Sequence, residues 1–286
     1  LAIIKKSDYF DFKLPKGLIN SKSMIEALNL AASRMIPQVN EIVSIQLGPM
    51  LKTLNESIVN LPDMKKISEH LNYVFKSAMP PNWPEGQVDL DKVEKVVIED
   101  GIPLVWIPRP ELVELILQAP DKAARFRILA EHKKGIVEDC LACMALVTDP
   151  MFSGQVPLGI KAIEAFSSGR FEAAQALSTV VAESAIRKLT SESYRKISEY
   201  ARESFFDEPI SHLRMSAALA PVGVFYTPYF ESDGKPPPEQ LSRHMTVHFA
   251  DVSHYTELNA ILSIMLLASV LRGLQEMQEV ASQSEA

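Results

Sequence analysis

The chain has 286 residues, 47% apolar and 23% charged, enough for one large or two small buried cores and unlike a disordered or fibrous protein. Its net charge of −7, from 29 basic and 36 acidic residues, argues against a protein that coats nucleic acid through excess Lys and Arg. Two cysteines cannot build a disulfide framework, so a reducing, cytoplasmic setting is expected.

Few glycines and apolar spacings of three and four predict an all-α protein. From Ser21 to Phe75 an apolar stripe (Ile25, Leu28, Ile36, Val39, Val43, Leu47, Met50) is interrupted by Pro37, Gly48-Pro49 and Pro62. Proline inside a helix costs ~3 kcal/mol, so the pattern favours several short packed helices over a free coiled coil. Residues 79–86, rich in proline around Trp83, form a rigid loop, and a helix resumes from Asp89 to Glu99. Gly101 to Pro108 reads as an extended, strand-like apolar crossing, with Trp83 and Trp106 as core anchors. Asp121 is the expected N-cap of a long helix reaching about Val147.

Turn-forming residues 148–154 mark the best boundary, dividing a mostly helical N-terminal region, 1–150, from a C-terminal bundle, 151–286. The second part carries −5 of the net charge. It should hold helices over Leu158–Phe166, Phe171–Leu189 and Glu192–Phe205, a Ser167-Ser168-Gly169 turn, and a helical stretch from His212 to Ala220. A loop with Pro236-Pro237-Pro238 leads to a last helix, Tyr255 to Gln278, and a fraying acidic tail. The longest apolar run, Ala260 to Leu271, is too short for a membrane span and reads as a central core helix. The sequence opens on Leu1 rather than Met, which is compatible with a removed upstream segment, so targeting signals are not excluded.

Two polar constellations could carry chemistry. Cys140 and Cys143 lie among Val137, Leu141, Met144 and Leu146, and no second pair exists to complete a zinc site, so they read as buried core thiols. The denser group is Arg243-His244-Met245-Thr246-Val247-His248, followed by Asp251 and His254. On a helix, His244 and His248 would be one turn apart, as two metal ligands are, with Asp251 and His254 to complete the set. Met245 stands where the metalloprotease version needs a Glu. Alternatively, Arg243 can grip phosphate oxygens through its charged fork while His248 moves a proton.

Arg243-x4-His248, with the polar His244 after the Arg, resembles the R-x4–6-H signature of HEPN domains, which are α-helical bundles. The resemblance covers roughly Leu158 to Gln278, including the small-residue helix that begins at Phe171. Arg127-x4-His132 and Arg125-x6-His132 also fit the signature, but mid-helix, where they look like a solvated face. The resemblance implies a metal-independent ribonuclease without cofactor, of a toxin or phage-defence type, commonly homodimeric. Arg243 would clamp phosphate, His248 transfer the proton, and His244 support them. It equally admits a non-catalytic member that binds a protein partner. The acidic second half favours that alternative, although a cleft could gather charge from Arg170, Arg187, Lys188 and Arg214. The N-terminal region resembles only uncharacterised bacterial proteins.

Overall fold

The computed structural model describes residues 78–84, 88–203 and 213–284. The stripe between Ser21 and Phe75 lies outside them, as do residues 85–87 of the proline loop. Among the described residues the protein is all-α, with ten α-helices and no strand.

Asp89 caps α1 (Leu90–Glu94) by accepting from the Lys92 amide, and α1 continues as a π turn over Lys95–Glu99. The apolar crossing that follows is buried, with Ile102, Leu104, Val105 and Ile107 fully enclosed, but it is not a strand. Its polar groups find side chains instead of a neighbouring strand. Asn82 Nδ2 donates to the carbonyls of Leu104 (3.1 Å) and Pro108 (2.7 Å), and Asn82 Oδ1 accepts from the Trp106 amide (2.7 Å). Trp83 Nε1 also donates to the Leu104 carbonyl (2.7 Å). Prolines 103 and 108 lack the N–H that a position inside a ladder would donate.

After α2 (Pro110–Gln118), Asp121 does cap a helix, accepting from the Ala124 amide at 2.8 Å. The single long helix expected from it is divided: α3 (Lys122–Glu131) stops at His132, whose φ of −104° and ψ of 16° are not helical, and α4 spans Lys133–Ala145. The break re-aims the chain so that the Gly135 carbonyl accepts from Arg109 Nη2 (3.0 Å) and Asp139 receives Arg109 Nε and the Arg109 amide. Arg127 is indeed exposed, but Arg125 is not a solvated residue. It is buried and paired with buried Asp100 at 2.7 Å, joining α3 to the end of the first π turn.

Residues 148–154 form the expected turn, including a 3-10 turn over Pro150–Phe152. Gln275 holds it from the far end of the chain, accepting from the amides of Thr148 (2.7 Å) and Asp149 (3.0 Å). The core runs continuously past it, from Ile136 and Met144 on one side to Phe152 and Ile163 on the other.

Then come α5 (Gln155–Ser167), α6 (Phe171–Leu189), α7 (Tyr194–Ala201), α8 (Leu213–Leu219), α9 (Pro221–Phe225) and α10 (Glu257–Ser284). Gly169 makes the α5–α6 turn at a φ of +73°, a conformation open to glycine at little cost. The helix expected to begin at Glu192 starts two residues later, where the Ser193 side chain caps it. The predicted tail is helical through Ser284, since no Gly or Pro stops α10 before it.

α10 is the axis of the bundle. It packs most extensively on α6 and also touches α3, α4, α5 and α8, and residues 260–271 are all buried. Each enclosed Leu, Ile or Val there contributes about 1.5–3 kcal/mol relative to exposure, so packing rather than helix propensity fixes its length. By length and composition alone α10 could cross a membrane, but 83% of its apolar window is buried against the other helices. Close approach at its far end depends on Gly273, where an added Cβ would meet the Trp106 ring at 3.2 Å.

Cys140 and Cys143 are buried free thiols, as expected from their neighbours. Burial pushes Cys143 up to about 12 and Cys140 well above the ordinary thiol range, so neither is a ready nucleophile.

Candidate functional site

Arg243, His244 and His248 converge alongside α6. The segment from Met245 to Phe249 is a π turn, and Ala250 closes it in the left-handed region at a φ of 46°. Buried Thr246 docks the turn on α6 by accepting from Gln175 Nε2 at 3.0 Å, and the Tyr255 hydroxyl donates to the Thr246 carbonyl at 2.6 Å. A π turn of this kind is a recurrent device for re-aiming side chains at functional positions.

The chain entering the turn is held just as firmly. Buried His254 accepts from the Ser242 amide through Nε2 (3.4 Å), and its Nδ1 lies 3.3 Å from the Pro238 carbonyl. Asn259, at the start of α10, donates to the carbonyls of Glu239 (3.1 Å) and His254 (2.9 Å). Ser242 donates from its hydroxyl to the Thr227 carbonyl. Arg243 therefore leaves a backbone pinned on both sides.

The Arg243 side chain is only 17% exposed, and a carboxylate partners it. Nε and Nη2 donate to the two oxygens of Glu183 on α6, at 2.8 and 3.0 Å. Nη2 also reaches the Tyr194 hydroxyl (3.3 Å), which itself donates to Glu183. Burial would raise the Glu183 carboxyl, but the hydrogen bonds from Arg243 and Tyr194 and the nearby guanidinia outweigh it, holding the group below its ordinary range. Both Arg243 and Arg187 lie against the Tyr194 ring, 4.8 and 4.1 Å from its centroid.

Nη1 of Arg243 faces the other way, 2.8 Å from His248 Nε2. A guanidinium can only donate, so this contact suits an imidazole that accepts at Nε2 and carries its proton on Nδ1. The His248 ring is exposed to solvent. His244 stands beside it, ring centroids 5.0 Å apart and nearly perpendicular, and its Nδ1 accepts from the Tyr229 amide at 3.3 Å. Burial first, then the neighbouring His248 and Arg243, lower the His244 imidazole below the usual range. Phe230 and Phe249 wall the same cluster, at 5.1 and 5.8 Å from His244.

The alternative metal set is not assembled. His254 is turned inward to the Pro238–Ser242 backbone, and Asp251 accepts from the amide and hydroxyl of Ser253. No group of three His, Cys, Asp or Glu ligands occurs among the described residues. Of the basic residues that could have enriched the cleft, Arg187 does lie beside the site, but Arg214 pairs with Glu276 and Lys188 donates to the Met151 carbonyl. Glu183 and Tyr194 were not anticipated from the sequence. The one available signal was an acid inside the apolar, small-residue stretch from Val180 to Ala185.

No protein-family model, curated protein or solved structure matches the chain. The likeness to HEPN domains rests on the Arg243/His248 motif and its setting before the last long helix.

Proposed function

We propose that the protein is a HEPN-like, metal-independent endoribonuclease of a toxin or phage-defence system, acting on RNA in the cytoplasm. The observation that carries this reading is the 2.8 Å contact between Arg243 Nη1 and His248 Nε2 on an exposed edge of the π turn.

The contact suits transesterification. When a phosphodiester enters, a non-bridging oxygen takes the place of His248 Nε2 at the guanidinium N–H, which stabilises the charge that grows there. The freed Nε2 lone pair then faces the ribose and takes the 2′-hydroxyl proton. The O2′–P bond forms, the P–O5′ bond breaks, the departing 5′-oxygen takes a proton from solvent water, and His248, open to solvent, gives up the proton it gained, leaving a 2′,3′-cyclic phosphate. His244, neutral and edge-on, keeps the His248 ring from swinging away.

Incubation of the purified protein with total RNA in EDTA is expected to yield cleavage that Arg243→Ala and His248→Ala each abolish. Cleavage that EDTA prevents would contradict the reading. A second reading, a non-catalytic HEPN-like module that dimerises or binds a protein partner, draws on Phe230, which stands against His244, and on Val247 and Val252 close by in the sequence, the three being 50%, 40% and 86% exposed. Intact RNA under all conditions, with a stable protein complex that Val252→Asp disrupts, would favour it.

A further inference from the structure

A guanidinium has five N–H bonds, and the distances around Arg243 assign four of them. The Nε–H and one Nη2–H are taken by the two Glu183 oxygens, the other Nη2–H by the Tyr194 hydroxyl, and one Nη1–H by His248 Nε2. Among the described residues the remaining Nη1–H has no partner, and it lies on the edge that His248 shares. The fork-to-fork contact with Glu183 fixes the guanidinium plane, because rotation about either of the last Arg243 bonds would break one of two short charged contacts. Glu183 itself is fixed by Tyr194, whose ring packs against buried Tyr226 at 5.0 Å.

We propose that Glu183 is the positioning residue of this site: it aims Arg243 Nη1 at His248 and thereby selects the Nδ1–H tautomer, with the Nε2 lone pair at the open edge. The inference rests on the reading of Arg243 and His248 as the reactive pair, and it makes a statement about the resting protein that needs no substrate. An imidazole in water favours the other tautomer, with the proton on Nε2. A donor held rigidly against Nε2 reverses that preference, and Glu183 supplies the rigidity. The carboxylate also neutralises the Arg243 charge in the resting state. An incoming phosphate therefore meets the spare Nη1–H first and acquires a second contact only by displacing His248 Nε2 from the other Nη1–H, the guanidinium itself staying in place. Phosphate binding and release of the base are one movement.

The test is long-range 1H–15N correlation spectroscopy of the imidazoles in the full chain, labelled with 15N, at about pH 7.5, where ordinary imidazoles are neutral. The His248 signals are assigned by their loss in His248→Gln. In the unaltered protein Nε2 should resonate as an unprotonated nitrogen and Nδ1 as a protonated one. In Glu183→Gln, which keeps the side-chain shape, the majority form should revert to Nε2–H. Tyr194→Phe, which removes the hydroxyl but keeps the ring under both guanidinia, should move the ratio part of the way and serves if Glu183→Gln does not fold. A His248 already protonated on Nε2, or a tautomer ratio that neither folded variant changes, overturns the inference.

Cleavage kinetics separate this outcome from the fate of the ribonuclease reading. A chain that cuts no RNA but shows the Glu183-dependent tautomer keeps the positioning role and loses the nuclease. In a chain that cuts RNA, Glu183→Gln should lower kcat at least tenfold with little change in KM; unchanged kcat removes the positioning role and leaves the nuclease standing.

Discussion

Arg243 illustrates how a residue's chemistry can be legible while its circumstances are not. Its type and its five-residue separation from His248 point to phosphate and proton transfer, and the two side chains do meet. Its resting partner, Glu183, lies 60 residues earlier on another helix, and no local spacing marks that pairing. The metal alternative failed at the same scale. His244 and His248 are neighbours as a one-turn spacing requires, but His254 is spent on holding the backbone. Its role there makes a pH prediction. Burial lowers His254 and His244 below the ordinary imidazole range, so the folded state favours their neutral forms. The unfolded chain takes up protons below about pH 6.5 while the folded chain resists, so stability rises with pH through that window and is lost as pH falls below it. Thermal denaturation should show a lower Tm at about pH 5 than at about pH 7. His254→Asn should flatten that difference, even if it is less stable throughout; an undiminished slope would locate the linkage elsewhere. Glu183, held low by its partners, acts in a separate and more acid window, its contribution disappearing below about pH 4.

At the scale of elements, periodicity and caps read well and tertiary corrections read poorly. The helix from Phe171 to Leu189 stands where its apolar spacing puts it, and Asp121 and the glycine turn at Gly169 mark boundaries by local chemistry. The break at His132 carries no Pro or Gly of its own. It goes with Arg109 gripping Gly135 and Asp139, contacts across 26 and 30 residues that no local pattern marks. The apolar crossing from Gly101 to Pro108 has a strand's composition, but only the fold reveals that Asn82 takes the place of a neighbouring strand. That substitution of side chain for ladder is testable. Asn82→Ala strips the partner from the Pro108 carbonyl and the Trp106 amide, while the Leu104 carbonyl keeps Trp83 Nε1; each orphaned group costs about 1–3 kcal/mol. Denaturant titration should show a loss of about 2 kcal/mol or more, the sum of these two lost contacts. A loss below about 1 kcal/mol would mean the crossing reaches solvent or another partner.

Across the whole molecule, the all-α architecture and the central helix were both legible, because a twelve-residue apolar run from Ala260 to Leu271 can satisfy itself only inside a bundle. The same helix positions the site. Asn259 at its start ties down the backbone ahead of Arg243, its middle packs against the α6 helix that carries Glu183, and Gln275 near its end secures the turn at 148–149. Arg243 and His248 are thus presented by a short helical turn whose flanks are fastened to the buried helix α10. The central functional claim is that this pair cuts RNA by using the substrate's own 2′-hydroxyl. The most direct measurement compares two labelled oligonucleotides of one sequence in EDTA, all-ribo and with a single 2′-deoxy nucleotide at the cleaved position, with product ends read by mass spectrometry. The account predicts a 2′,3′-cyclic phosphate and a 5′-hydroxyl from the first and no cut at that position in the second; cleavage of the deoxy-substituted strand there, or a product with a 5′-phosphate, would contradict it.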